Sequence, residues 1–279
     1  MIGYRCSRAD VVLGVTGVDI FAIACILFIL SYLVYIVNYA IDLYELNPFN
    51  RPKALTSKEI FIIKSKIPSI NRLDVEQREI LFKRVSWFRT RKHFTFRGPV
   101  GHKQELKLLI STASCLLTLG MRNYKFRRSV HRIVIYPSEY YSLINRKHHL
   151  GEYNVGLKTI VFAADNLEKG FEQSDDNVNL AIHEFSHALY HETKGRNSWE
   201  SLKFQAGFRR MERMFSDKHF TSRMESTGYF RDYAKANILE FFAVACENFM
   251  ETPELFKRDF PTLFETLKKM FNLDLDNLA

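Results

Sequence analysis

Three kinds of hydrophobic pattern follow one another along the chain. The first is an uncharged run from Ile20 to Ile41, reading IFAIACILFILSYLVYIVNYAI, in which only Ser31 and Asn38 are clearly polar. At 1.5 Å per residue this run spans about 33 Å, enough to cross a hydrocarbon core of about 30 Å. It predicts one transmembrane helix at 20–41. Tyr32, Tyr35, Tyr39 and Tyr44 gather toward its end, where aromatic rings suit the interface. A cleaved signal peptide fits poorly, because it has a shorter apolar core, a basic start and a small-residue cleavage site. The second pattern is helical spacing. It predicts helices over 74–91, 104–119, 177–192, 198–215 and 236–251, with Pro253 and Pro261 opening two short terminal ones. The third is short and continuous: RIVIY at Arg132–Tyr136 and VGLKTIVFA at Val155–Ala163 read as strands. Helices outnumber strands, so the fold class is α+β, a small sheet beside a helical body.

These elements divide the chain into a tail at 1–19, the span at 20–41, a juxtamembrane linker at 42–66 and one domain at 67–279. The linker carries Pro48, Pro52 and alternating charge. Charge sharpens the division. The chain of 279 residues carries a formal +9, while Arg5, Arg8, Asp10 and Asp19 cancel within 1–41, so the whole +9 lies beyond the span. Arg51, Lys53, Lys58, Lys64 and Lys66 outnumber the two N-terminal arginines. Positive residues favour the cytoplasmic side, so a single-pass protein with a cytoplasmic domain near anionic lipid is expected. The cysteines Cys6, Cys25, Cys115 and Cys246 are far apart and form no CxxC, which fits a reducing compartment.

The chemistry lies in His183-Glu184-Phe185-Ser186-His187, an HExxH. Residues four apart on a helix share a face, so two imidazoles can hold one Zn²⁺. Glu184 stands about 100° round from His183. That is too far for a third ligand on the same face, but suited to holding a metal-activated water and taking its proton. The motif lies in an apolar stretch, Leu180-Ala181-Ile182 before it and Ala188-Leu189 after it, where polar groups need partners. A solvated face that happens to spell the motif is the bland alternative. A catalytic zinc takes three protein ligands and keeps a fourth position open. His191 is four residues past His187, but each such step rotates about 40°, so it drifts from the shared face. Glu240 is the better third ligand, the lone acid in the apolar run Ile238–Cys246. Glu247 lies two turns further along that face, where it could bond the ligands or reach solvent.

At this point the chain resembles the Mlc titration factor A group of zincin-type metallopeptidases and, more distantly, gluzincins related to anthrax lethal factor. The resemblance covers most of 67–272. Its segments are Trp87-Phe88 with His93-Phe94, then Leu116–Tyr124, Ile133–Pro137, Asn179–Leu189 and Glu240–Phe249. It implies a zincin-like fold, peptide hydrolysis, His183, His187 and Glu240 as zinc ligands, and Glu184 as catalytic base. It also singles out Tyr233, whose phenol would steady an oxyanion; otherwise Tyr233 is one of thirteen tyrosines and packs as a half-buried ring. In zincins a strand edge beside the metal pairs with an extended substrate, and Val155–Ala163, with Lys158 and Thr159, is expected to supply it. Two departures stand out: Tyr190 where the group often has aspartate, and no tryptophan in the strand. The group is named for binding a repressor, so a regulatory protein with a transcriptional-regulator partner and a structural zinc is the alternative function.

Basic stretches at Arg89–Arg97 and Arg122–Arg132 interleave aromatics, a pattern that can bind nucleic acid. No nucleic-acid motif accompanies them, and a solvated or lipid-facing surface is preferred. The leading expectation is a membrane-anchored zinc peptidase acting on a peptide or protein substrate.

Overall fold

The computed structural model of the chain describes residues 17–41, 52–123, 125–142 and 146–275, with side chains of 20–34 in the first segment. Arg5, Arg8, Cys6, Arg51 and Tyr124, on which parts of the sequence reading rest, lie outside the described residues. The chain forms two units, Met1–Pro52 and Lys53–Ala279.

In the first unit α1 runs from Gly17 to Ile41, with no basic residue in its last turn. Every described side chain from Ile20 to Val34 is exposed. Among the described residues no helix is long and apolar enough to cross a membrane. The transmembrane crossing expected at 20–41 is therefore not shown.

The second unit begins with a helix inside the stretch expected to be linker. α2 (Ser57–Lys66) starts at a capping box in which Thr56 and Glu59 satisfy each other's backbone N–H groups, and it buries Ile63 completely. Its alternating charges belong to a half-buried helix, with Glu59 paired to Arg89 of the helix that follows. α3 (Val75–Arg91) follows a second capping box, Asp74 with Gln77. Then come β1 (His93–Phe96) and α4 (Lys103–Leu117), the latter buried on most of its length. β2 (Arg132–Tyr136) occupies the predicted residues.

A small hairpin, β3 (Tyr140–Ser142) with β4 (Lys147–His149), precedes β5 (Gly151–Asn154) and β6 (Thr159–Ala163). The remaining helices are α5 (Ala164–Glu172), α6 (Leu180–Thr193), α7 (Trp199–Phe215), α8 (Lys218–Thr227), α9 (Ile238–Glu251), α10 (Pro253–Asp259) and α11 (Pro261–Phe271). The described residues are mostly helical with a small sheet, as expected for α+β.

The main sheet has the order β1-β2-β6-β5. β1, β2 and β6 are parallel; β5 runs antiparallel to β6 at the end of the sheet. This corrects the expected strand at Val155–Ala163. Asn154 Oδ1 accepts from Leu157 N–H at 2.8 Å and Lys158 turns left-handed, so 155–158 reverse the chain. β6 then lies inside the sheet, with Thr159 buried, and β5 holds the edge.

α6 packs on the sheet through Phe185, whose ring centroid lies 5.8 Å from Phe88, 5.2 Å from Phe126 and 6.4 Å from Phe162. A residue between the two histidines of the motif thus fixes the helix that carries them. At the far side, Gly120 lies against the end of α11: a Cβ there would come within 2.0 Å of Asn272 O and 2.4 Å of Phe271 O. Gly120→Ala is expected to cost about 1–3 kcal/mol in chemical denaturation. Gly101→Ala, where a Cβ meets nothing within 4 Å, is the control; equal stability of the two variants would contradict this packing.

Candidate active site

α6 carries His183, Glu184 and His187, and α9 carries Glu240 and Glu247, seven residues or two turns apart on one face. Each helix begins at an asparagine cap. Asn179 Oδ1 accepts from Ile182 N–H, and Asn237 Oδ1 accepts from the N–H groups of Leu239 and Glu240. The capped first turn of α9 is where a carboxylate is favoured by the helix dipole, and Glu240 stands there.

The two helices bring three ligand-type atoms together. His183 Nε2 and His187 Nε2 are 3.2 Å apart, and Glu240 Oε2 lies 3.0 Å from the first and 3.5 Å from the second. Among the described residues these three form the one cluster of its kind, with all ligand atoms within 4.8 Å. Atoms held at about 2.0–2.2 Å from one ion at tetrahedral angles stand about 3.3–3.5 Å apart. The trio therefore fits a zinc ion. Its chemistry fits too: two imidazole nitrogens and a carboxylate oxygen face one another, and they need a proton or a cation between them.

Glu247 and Arg231 set the orientation. Glu247 is fully buried, and its Oε1 lies 2.6 Å from His183 Nδ1 and 2.6 Å from Arg231 Nη2. Facing a carboxylate, Nδ1 carries the proton, which turns the Nε2 lone pair toward Glu240 and His187. Oε2 accepts from Asn179 N–H at 2.8 Å, tying α9 to the start of α6. Glu247 thus bonds a candidate ligand rather than reaching solvent. Arg231 had no sequence signal of its own, although a buried carboxylate calls for a cation, and Arg231 lies two residues before Tyr233.

Charge preferences match a cation site. Burial alone would lower the His183 pKa, but hydrogen bonds to Glu240 and Glu247 raise it to about 10. Burial opposes ionisation of Glu240, yet the two histidines hold its pKa well below the usual value. Burial raises the pKa of Glu184, partly offset by His183, His187 and the backbone of Tyr153.

The cluster opens into a cleft lined by His149, Gly151–Tyr153, Val155, Glu184, His191, Tyr233, Asn237 and Leu239. The Tyr233 ring is half exposed, 5.8 Å from the His183 ring, with the Arg231 guanidinium 5.9 Å from its centroid. Burial and then the charges of Glu240 and Glu184 raise the Tyr233 pKa, so its hydroxyl stays a donor. His191 lines the cleft apart from the trio, packing against Tyr153 and Tyr190 at 5.7 and 5.2 Å. Lys158 does not line it. Tyr190 packs on Phe208 at 4.6 Å.

The chain belongs to the glucose-regulated metallo-peptidase family M90, which matches residues 49–272. This bears out the resemblance to the Mlc titration factor A group. The protein slr2042 of Synechocystis sp. (strain ATCC 27184 / PCC 6803 / Kazusa), described as uncharacterized, is similar at 23% identity over 265 residues, covering 88% of this chain and 94% of that one. The family implies a bound metal, and His183, His187 and Glu240 are compatible with holding it.

Below the trio, Glu251 accepts from Asn179 Nδ2 at 3.2 Å through Oε1, while its buried Oε2 has no hydrogen-bond partner. Burial, then the nearby Glu247 and Asp176, push its pKa from 4.5 to about 8. Between those values the folded protein keeps a proton that the unfolded chain has lost, so this group's contribution to stability falls as pH rises through the window. Glu251→Gln is expected to flatten that part of a denaturation-versus-pH profile; an unchanged slope would count against it.

Proposed function

We propose that this protein is a membrane-anchored, zinc-dependent peptidase that hydrolyses peptide bonds. The observation that carries the reading is the His183–His187–Glu240 trio beside the buried Glu184 at the floor of an open cleft. The donor set of two imidazoles and one carboxylate suits zinc, with His183, His187 and Glu240 as its ligands. Zinc, when bound, supplies Lewis acidity that polarises the peptide carbonyl and acidifies water.

The chain's own groups do the rest. Glu184 takes the proton of the attacking water and returns it to the leaving amine; burial that lifts its pKa brings it closer to the neutral range a general base needs. Tyr233 donates its phenolic hydrogen to the oxyanion as the carbonyl becomes tetrahedral. Glu247 and Arg231 keep His183 in the tautomer that presents Nε2. The edge strand β5 receives an extended substrate backbone by strand addition. In the register with β6, residues 150, 152 and 154 bond inward, so Gly151 and Tyr153 turn their backbone groups away from β6, the Tyr153 N–H toward Glu184.

Glu184→Gln keeps the size of the base and the ligand trio. It is expected to retain zinc, read by metal analysis, while peptide turnover falls by about 100-fold or more. Wild-type protein that holds no metal and shows no chelator-sensitive cleavage would sink the reading. A biological effect that survives Glu184→Gln would instead favour the regulatory alternative, in which a bound repressor or other partner is what matters.

The anchor is part of the same proposal. α1 contains the uncharged run 20–41, and its described side chains expose Ile, Leu and Phe all round, a surface suited to lipid. The basic balance of 42–279 suits a catalytic domain on the cytoplasmic side, beside anionic lipid. The full chain is expected to stay with membranes through an alkaline carbonate wash, whereas a chain lacking 17–41 is expected in the supernatant. Release of the full chain by carbonate would remove the anchor from the proposal.

A further inference from the structure

We propose that Glu192 and Tyr153 are positioning residues: through Ser129 they hold the edge strand β5 at a fixed height against Glu184. The inference rests on reading Glu184 as the base and β5 as the substrate edge, and adds the device that keeps the two in register.

An edge strand is bonded on one side only, so its outer residues fray unless something else holds them. β5 is four residues long and ends in the turn at 155–158. It nevertheless lies tightly on α6. A Cβ on Gly151 would come within 2.8 Å of Glu184 Oε1 and 2.6 Å of Leu180 Cδ1. The absence of a side chain at 151 is what lets the strand approach the base so closely, and a displacement of a few tenths of an ångström would alter the contact.

The hold comes from the same helix that carries the base. Tyr153 donates its hydroxyl hydrogen to Ser129 O at 3.0 Å. Ser129 donates through its N–H and its hydroxyl to Glu192 Oε2, both at 2.9 Å. Glu192 is buried on α6, eight residues after Glu184, which is about 12 Å along the helix. The path from Glu184 across β5 to Ser129 and back to Glu192 therefore closes on a single rigid element.

The middle of this path is fixed from other directions. Glu192 Oε2 also accepts from Arg128 N–H, and Oε1 accepts from Asn123 Nδ2 and Arg196 Nη1, each at 3.0 Å. Lys92 holds the same loop: its Nζ donates to Phe126 O at 2.9 Å and Val130 O at 2.6 Å. His191 packs on the Tyr153 ring at 5.7 Å and gains a role there: it supports the ring whose hydroxyl reaches Ser129. Tyr153 touches the loop on one end and lines the cleft on the other, so a change at Glu192 is transmitted to the substrate edge without touching substrate.

The test uses the full-length protein loaded with zinc, comparing wild type with Tyr153→Phe and Glu192→Gln. Amide hydrogen exchange at 151–154 is expected to speed up by about fivefold to tenfold in Tyr153→Phe, the size of one lost hydrogen bond, with exchange at 132–136 and zinc content unchanged. Peptide kcat is expected to fall by a similar factor in both variants while KM for a short chromogenic amide changes by less than about twofold, a split that general loosening of the domain would not produce. If Glu192→Gln fails to fold, Ser129→Ala, which removes only the hydroxyl donor, replaces it. Wild-type exchange at 151–154 in Tyr153→Phe overturns the inference, as does faster exchange there with unchanged kcat in an active enzyme. If the wild type cleaves no peptide, the proposed function fails on its own, and the exchange measurement still decides whether Tyr153 holds β5.

Discussion

The site depends on one buried carboxylate. Glu247 lies in the core with no exposure, and three donors converge on it: His183 Nδ1, Arg231 Nη2 and the backbone N–H at Asn179. Two of these donors belong to α6 and its cap and the third to the segment before Tyr233, so this one side chain fixes the approach of α6 to α9 and of that segment to both. Removing one partner of such a buried pair typically costs about 3–5 kcal/mol, because the charge left behind has no water to turn to. The gain is orientation. A histidine whose Nδ1 is committed inward can only present Nε2 outward, and the trio with His187 and Glu240 follows from that constraint together with the four-residue spacing on α6.

A second constraint is the depth of Glu184. Glu184 is buried on a helix that packs against the sheet through the neighbouring Phe185. Consecutive residues point about 100° apart, so Phe185 can enter the core while His183 and His187 face α9 and Glu184 faces the edge strand. A buried carboxylate on that side needs space, and Gly151 provides it. The motif alone does not build this arrangement: it needs a strand that comes close enough to exclude water from one flank of the carboxylate, yet carries no side chain at the point of contact.

How much of this was legible in the sequence depends on the range of each interaction. The helical positions of His183, Glu184, His187, Glu240 and Glu247 follow from local periodicity, because residues four or seven apart share a face wherever the helix sits. The helix ends were only partly legible: α6 begins after the Asn179 cap, later than the start expected at 177, while α3 begins at the Asp74 cap where the spacing placed it. The strand content was less legible. β1 and β5 are only four residues long, and the apolar run 155–163 concealed a turn set by the Asn154 side chain. Which strand lies at the edge is a fact of tertiary order that no local pattern carries. The same holds for α2, whose alternating charges resembled a linker until Ile63 was seen to be buried and Glu59 paired with Arg89. Arg231, Gly151 and Glu192 act at a distance along the chain, and each is ordinary within its own segment.

The formal +9 is a property of the whole sequence, yet among the described residues lining the cleft there is no lysine or arginine, while Glu152, Glu184 and Glu240 all line it. The basic groups lie elsewhere, and Arg231, the guanidinium nearest the trio, is taken up by Glu247. A cleft of this sign draws a divalent cation toward two imidazoles and a carboxylate, and the field of the surrounding positive surface does not oppose it at the short range where ligand contacts operate, since exposed charges are screened beyond about 8–10 Å. The same separation keeps the basic groups of the chain from placing competing cations in the site. Positive charge outside and carboxylates within are therefore two independent features of the fold, and the net value describes neither of them.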